Sequence, residues 1–261
     1  MRIVVCIKQV PDTTDVKINP ETNTLIREGV DSIINPFDNY AIEEGLRIKE
    51  KLAGEVIVMT MGPPQAESAL REALALGCDE AVLLSDRNFA GADTWATSYT
   101  LARGIKKIGE VDLVICGKQA IDGDTAQVGP GIAEMLDLPC ITYVGKIDEI
   151  DENGFIARRM TESGHNIIKS PLPAVITVVK EINEPRMPSL RGKMNARKAD
   201  IQLYTAADMA CNLESIGQMG SPTVVKKIFA PPVKGKGEIF KGEPAETAAK
   251  LASELKDKGI F

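Results

Sequence analysis

The stretch DLVICGKQAIDGDTAQVGPGIAEML (112–136) decides how this chain is read. DLVIC (112–116) is a short apolar run, as a strand buried on both faces requires. A loop of small and polar residues follows over 117–127. Val128, Ile132, Met135 and Leu136 then recur at helical spacing, up to a stop before Pro139. Strand, small-residue loop and helix make the repeating unit of a parallel sheet. The same unit occurs three times upstream. RIVVCIKQV (2–10), EVIVMTM (55–61) and EAVLLSD (80–86) read as buried strands. Asn35-Pro36-Phe37-Asp38 opens a first helix, with Asp38 as its N-cap and Ala41, Gly45, Ile48 and Leu52 on one face. Ala66, Ala69, Leu70, Ala73 and Leu74 mark a second, closed by Gly77. Gly91-Ala92-Asp93-Thr94 starts a third, with Ser98, Leu101, Ile105 and Ile108 inward. VKIN and TLIREGV, separated by Pro20–Asn23, read as a small hairpin. The fold class is therefore α/β, a parallel sheet with helices on both faces. Ligands of such sheets bind at the carboxyl ends of strands, near a switch in strand order. The candidate loops are 8–14, 62–64, 90–94 and 117–127.

Beyond 140 the pattern changes. CITYVGKI and FIARRM look antiparallel, and NIIKSPLPAVITVVKEI (166–182) returns to the sheet. Residues 183–199 are basic, Pro-containing and weakly periodic. From about 212 to 242 the chain is rich in Gly, Pro and Lys, with no core pattern. PAETAAKLASELKDKG (244–259) is an amphipathic helix with Ala248, Leu251, Ala252 and Leu255 on one stripe. The expected division is an α/β domain over 1–211 and an extended C-terminal arm over 212–261, whose length suits wrapping a second chain.

The 261 residues are 44% hydrophobic and 26% charged, with a net charge of −6. That is ordinary globular composition, and it argues against nucleic acid as a partner. No window approaches the roughly 18 apolar residues of a membrane span. The start MRIVVCIKQV lacks signal- and transit-peptide character, so a cytoplasmic protein without a membrane partner is expected. Five cysteines, Cys6, Cys78, Cys116, Cys140 and Cys211, are spread out, and His165 is the one histidine. This supports neither a zinc site nor an iron–sulfur cluster. A catalytic triad would have to use His165, which sits in a polar stretch, and no catalytic residue is assigned.

No GxxxxGK[ST] occurs, and Gly129-Pro130-Gly131-Ile132-Ala133-Glu134 fails the GxGxxG pattern at its last position. The best phosphate site is GKQAIDGDTAQVGPGIAE (117–134). Gly123, Thr125, Ala126, Val128 and Gly129 let backbone approach a ligand, and the helix start offers unpaired N–H groups. Asp122 and Asp124 would repel phosphate, so they must turn to ribose hydroxyls or the helix cap. The bland alternative is that Asp124 merely caps a helix.

VVCIKQVPDT (4–13), SIINPFDNYAIEE (32–44), MGPPQAESALREALALG (61–77), GKQAIDGDTAQVGP (117–130) and NEPRMPSLRGKMNARK (183–198) give the chain a specific resemblance. Over essentially its whole length it resembles the β subunit of electron-transferring flavoproteins. Arg158, Glu162 and PAVIT (173–177) fit that family's signature segment, while Ser163 and His165 depart from it. The resemblance implies an adenine-nucleotide α-hydrolase-like fold and a heterodimer whose α subunit carries FAD. It implies AMP in the β subunit of ordinary members. In bifurcating members it implies a second FAD, which takes hydride from NADH and passes electrons to ferredoxin or flavodoxin and to the α-subunit flavin. An acyl-CoA dehydrogenase-type flavoenzyme is the implied acceptor. Positions matching the nucleotide site are Cys6, Asn35, Pro36, Phe37, Asp38, Met61, Ala120, Ile121, Asp122, Gly123, Asp124, Thr125, Ala126, Gln127, Val128 and Gly129. The 122–129 loop and GADTWATSYTLA (91–102) look like those of bifurcating members, which adds Asp93 and Thr94 beside a flavin or NAD(H) and favours FAD, with AMP as the alternative. Leu190 matches the loop that anchors the partner dehydrogenase.

Overall fold

The computed structural model describes residues 1–12, 32–226 and 237–260, and its contacts divide into Met1–Lys226 and Lys227–Phe261. The hairpin expected from VKIN and TLIREGV lies outside the described residues. In the first unit, β1 (Arg2–Cys6) lies between β4 (Glu55–Met61) and β6 (Leu113–Gly117), parallel to both. β5 (Glu80–Leu84) and β11 (Gln202–Tyr204) continue the sheet beyond β4, and β10 (Ala174–Val178) and β7 (Cys140–Ile150) continue it beyond β6. All these neighbours are parallel. An antiparallel extension, β8 (Gly154–Thr161) and β9 (Gly164–Pro171), completes a nine-stranded sheet.

Strand alternation sends successive side chains to opposite faces. Ile3 and Val5 join one core with Ala41 and Leu46 of α1 (Pro36–Leu52) and Leu70 and Ala73 of α2 (Glu67–Leu76). Val4 and Cys6 join the other, with Leu101 and Ile105 of α3 (Thr94–Ile108) and Ile132 and Ala133 of α4 (Val128–Leu136). After β1 the chain steps outward to β4 and β5, then crosses back to β6. The switch in strand order therefore falls between β1 and β6, where such folds open a crevice.

Several expectations need correction. The strand read over 2–10 ends at Cys6. The Lys8 N–H donates to Asp38 Oδ2 (2.7 Å) and the Lys8 carbonyl accepts from the Asn35 N–H (2.8 Å), so Lys8 has left the sheet. The chain then pairs β2 (Gln9–Pro11) with β3 (Ser32–Ile34) in a separate two-stranded sheet. NIIKSPLPAVITVVKEI splits: its first part pairs with β8, and only Ala174–Val178 enters the parallel sheet. The weakly periodic basic segment contains a short helix, α5 (Leu190–Ala196). β11, a three-residue edge strand, carries too little pattern to be legible in the sequence. Ile216 is buried in the second core, and the contacts divide at 226/227. In the second unit, α6 (Pro244–Asp257) forms as expected, with no buried residue.

Gly131 sets how closely α3 and α4 approach. A Cβ there would press into Ser98 Oγ and lie 2.8 Å from Ser98 Cβ. Helix propensity alone would make Gly131→Ala stabilising by roughly 0.5–1 kcal/mol. Overpacking reverses the sign, and a loss of about 1–3 kcal/mol is expected in urea unfolding. Adding Ser98→Gly should restore most of it. A stabilised Gly131→Ala chain would show that the contact is not tight.

Candidate functional site

At the crevice, Asn35 is 1% exposed and ties three segments together. Its Nδ2 donates to Asp38 Oδ1 and to the Gln119 carbonyl, both at 2.9 Å. Its Oδ1 accepts from the Ile121 N–H at 3.0 Å. Asp38 is not an N-cap: α1 begins at Pro36, and Asp38 lies buried in its first turn, turned back to Lys8. Pro36 is exposed and Phe37 half-buried beside it. Burial pushes the Asp38 carboxyl up to about 7, against hydrogen bonds from Asn35 and from the Lys8 and Gly117 N–H groups.

The loop after β6 closes on itself through the Asp124 N–H and the Ala120 carbonyl (2.8 Å). Asp124 and Ala126 adopt left-handed backbone, with φ of 52° and 53°. The two carboxylates that would repel a phosphate have partners in the chain. Asp122 takes the Lys8 ammonium at 2.6 and 2.7 Å, and Asp124 accepts from Gln119 Nε2. Asp124 therefore does not cap α4. That helix starts after Gln127, which makes no side-chain cap bond. Its first-turn N–H groups, at Val128 and Gly129, have no intrahelical partner, and Pro130 has no N–H. Thr125 is exposed, and a Cβ built on Gly123 would meet nothing within 4 Å.

Cys6 and Cys116, register partners on β1 and β6, form the floor and are buried. The hydrogen bond with Cys6 and burial hold the Cys116 thiol above its ordinary range, so it stays protonated. Gly129 sits on this floor, where a Cβ would lie 3.8 Å from Cys116 Cβ and collide with Thr177 Cγ2. Met61 ends β4 half-buried against the second core. Thr94 is drawn to α4 by the Ser98 hydroxyl, which lies 2.7 Å from the Thr94 carbonyl and 3.3 Å from that of Val128.

Asp93 is engaged elsewhere. Its carboxylate accepts from the N–H groups of Trp95 and Ala96 and from the N–H and hydroxyl of Thr223. Partial burial opposes ionisation, but these bonds hold the carboxyl below its usual range. Asp93 thus has its donors within the chain, and Thr94 begins α3 beside it. His165 lies exposed on β9, opposite Met160, in the antiparallel extension. Leu190 is 83% exposed on α5, which packs against α2, and belongs to a separate surface.

Two residues of the site escaped the sequence reading. Lys8 lay in a candidate loop, but its pairing with Asp122 has no sequence signal across that separation. Lys118 follows β6 directly, and its ammonium lies 5.5 Å from the Phe37 ring centre and 5.6 Å from that of Tyr143. Such cation–π contacts depend on packing. Together the crevice offers N–H donors, an open position at Gly123 and a thiol floor. It can hold a phosphorylated ligand without covalent chemistry. Among the described residues no group of three His, Cys, Asp or Glu could hold a metal ion.

Asp38 makes a testable pH signature. Its folded pKa lies above the ordinary 3.8, so folding takes up a proton between that value and about 7. This contribution to stability is complete below about pH 4 and is lost as pH rises through about 7. Unfolding free energies from urea titrations should fall between pH 5 and 7 in the native chain relative to Asp38→Asn, by at most about 1.4 kcal/mol per pH unit, and level off above that. Parallel curves would return the carboxyl to its ordinary range.

A family model described as "Electron transfer flavoprotein domain" matches residues 22–209. The chain is 54% identical to the "Caffeyl-CoA reductase-Etf complex subunit CarD" of Acetobacterium woodii, covering 100% of both chains. It is 51% identical to an "Electron transfer flavoprotein subunit beta" of Thermoanaerobacterium thermosaccharolyticum, again over 100% of both. With "Protein FixA" of Azorhizobium caulinodans it shares 48% identity, over 88% of this chain and 85% of that one. Sequence match, full-length coverage and a parallel sheet with its loop at the β1/β6 switch agree, and the chain belongs to the electron transfer flavoprotein family as a β subunit.

Proposed function

We propose that this β subunit pairs with an electron transfer flavoprotein α subunit and holds FAD at the β1/β6 crevice, as part of an electron-bifurcating complex. One observation carries the reading. The 119–121 backbone is fixed by Asn35, and the chain then opens at Gly123 before reaching the first-turn N–H groups of α4, which have no intrahelical partner. That leaves space and donors for a pyrophosphate. Full-length similarity to CarD, named as a subunit of a caffeyl-CoA reductase-Etf complex, supports membership in a larger assembly with a reductase. A flavin bound there would supply hydride acceptance from NADH and single-electron delivery to ferredoxin or flavodoxin and, through the α-subunit FAD, to an acyl-CoA dehydrogenase-type flavoenzyme.

The chain's own residues bind and orient. Val128 and Gly129 N–H groups and the Thr125 hydroxyl face the phosphate position, and Asn35 with residues 120–127 holds the loop shape. Cys6, Met61 and Thr94 border the crevice. Lys8 keeps Asp122 turned aside, which removes a repulsive charge from the phosphate. On a separate surface Leu190 serves as the anchor for the partner flavoenzyme. The stripe of Ala248, Leu251, Ala252 and Leu255 supports an arm that packs on the α subunit, since α6 has no buried residue. We place the complex in the cytoplasm; among the described residues no helix is long and apolar enough to cross a membrane.

Nucleotide extracted from the purified α/β complex tests the cofactor. Two FAD and no AMP per heterodimer are expected, and one FAD with one AMP would replace this reading by an AMP-binding carrier. Gly123→Val should expel most of the β-subunit nucleotide, because a branched side chain fills the open position. Undiminished nucleotide in that variant would put the phosphate elsewhere. Leu190→Ala should weaken coupling to the partner by about tenfold or more while nucleotide content stays constant. Loss of both together would make Leu190 a residue of the fold.

A further inference from the structure

The segment 183–198 is fastened to the domain at both ends. Asn183 Nδ2 donates to the Tyr40 carbonyl and to Glu44 Oε2, each at 3.0 Å. The Arg186 guanidinium forks across α1. Its Nε and Nη2 reach the two oxygens of Glu43 at 2.7 and 3.1 Å, and Nη1 and Nη2 reach those of Glu50 at 2.6 and 3.3 Å. Glu43 and Glu50, two helical turns apart, present one face of α1 to it. At the far end Arg71 Nη1 donates to the carbonyls of Ala196 (2.7 Å) and Ala199 (3.3 Å). In the middle, α5 presses so closely on α2 that a Cβ at Gly192 would collide with the Ala75 carbonyl.

Between these fastenings Met187, Leu190 and Met194 stand 88%, 83% and 63% exposed. Folding does not account for three large apolar side chains held outward on a fixed mount. Around them Arg191, Lys193, Arg197 and Lys198 make no ion pair among the described residues, in a chain of net charge −6. The mount is therefore an apolar face beside four exposed cations that make no ion pair among the described residues. A second copy of the chain would set like charge against like charge across a two-fold axis. A protein surface with an apolar pocket and an acidic rim satisfies both features.

We propose that Arg186 is the positioning residue of a docking face made by Met187, Leu190 and Met194, and that this face takes an apolar pocket rimmed by carboxylates on a flavoenzyme partner. The inference rests on the partner-binding reading of Leu190 and adds the two methionines and the clamp. An arginine fork fixes direction as well as distance, and a lysine in its place keeps the charge but not the two-pronged geometry. Rigid presentation of an anchor spares the ordering cost that a loose loop pays on binding.

The test uses the α/β complex with a purified short-chain acyl-CoA dehydrogenase as electron acceptor. Arg186→Lys is expected to raise the KM for that acceptor about tenfold, with kcat and nucleotide content unchanged and amide exchange over 187–196 accelerated. Because loss of the fork leaves the buried Glu43 carboxylate poorly paired, Glu50→Gln, which frees only the exposed half, is the second variant. It should raise KM about threefold. In a Leu190→Ala background Arg186→Lys should add less than about twofold, since both act through one face. If Leu190→Ala raises KM while Arg186→Lys and Glu50→Gln do not, the clamp is overturned and the anchor stands. If Leu190→Ala, Met187→Ala and Met194→Ala all leave KM unchanged, the docking reading itself fails. A homodimer in sedimentation, or binding to phosphatidylglycerol vesicles, that Leu190→Ala abolishes would overturn the proposed partner.

Discussion

Lys8 gives its main-chain hydrogen bonds to α1 rather than to a neighbouring strand, and the crevice depends on that exchange. Its N–H goes to Asp38 and its carbonyl takes the Asn35 N–H, so β1 stops at Cys6 and the chain leaves the sheet at the switch point. The same two residues reach the other wall, where the Asp38 carboxyl accepts from the Gly117 N–H. Asn35 accepts from Ile121 and donates to Gln119, which fixes the loop after β6 against the first turn of α1. Asn35 is fully buried, so each of these bonds left unmade would cost about 1–3 kcal/mol. The loop is held by one amide and one carboxylate, and the Lys8 side chain, directed by the same turn, holds Asp122 aside.

Helix α1 is consequently a mount with two uses. Its N-terminal turn shapes the crevice. Its later turns carry Glu43, Glu44 and Glu50, which receive Asn183 and Arg186 of the exposed basic segment. Burial raises the Glu44 carboxyl above its ordinary range, and the neighbouring Glu43 charge adds to this. The Arg186 guanidinium and Arg47 compensate that charge. A paired arginine anchored to partly buried carboxylates gives geometric specificity more securely than net stability. That suits a segment whose apolar side chains face outward.

The start of α3 is fastened within its own chain. Asp93 caps its own helix and fastens Thr223, while its N–H donates to Ser221 Oγ at 2.8 Å. The segment that composition assigned to an arm is thereby tied to the first unit up to residue 223. Ile216 in the core and the Ser221–Thr223 contacts explain why residues up to Lys226 belong to the first unit.

The sequence by itself determined the layer order. Buried strands at Ile3–Cys6, Val56–Met59, Ala81–Leu84 and Leu113–Cys116, each followed by a helical period, admit a parallel sheet with two covered faces. It also located the 117–129 loop, because small residues between a strand and a helix start are a local pattern. What only the tertiary structure decided are the partners of the polar groups. Lys8 with Asp122, Asn35 with Gln119 and Ile121, Arg186 with Glu43 and Glu50, and Asp93 with Thr223 are separated by 114, 84, 86, 143, 136 and 130 residues. Apolar periodicity is written locally, since each strand or helix must bury its own face. A hydrogen-bond partner is chosen only when the sheet order brings two distant turns together, and a carboxylate does not reveal beforehand whether it will meet a ligand or its own chain.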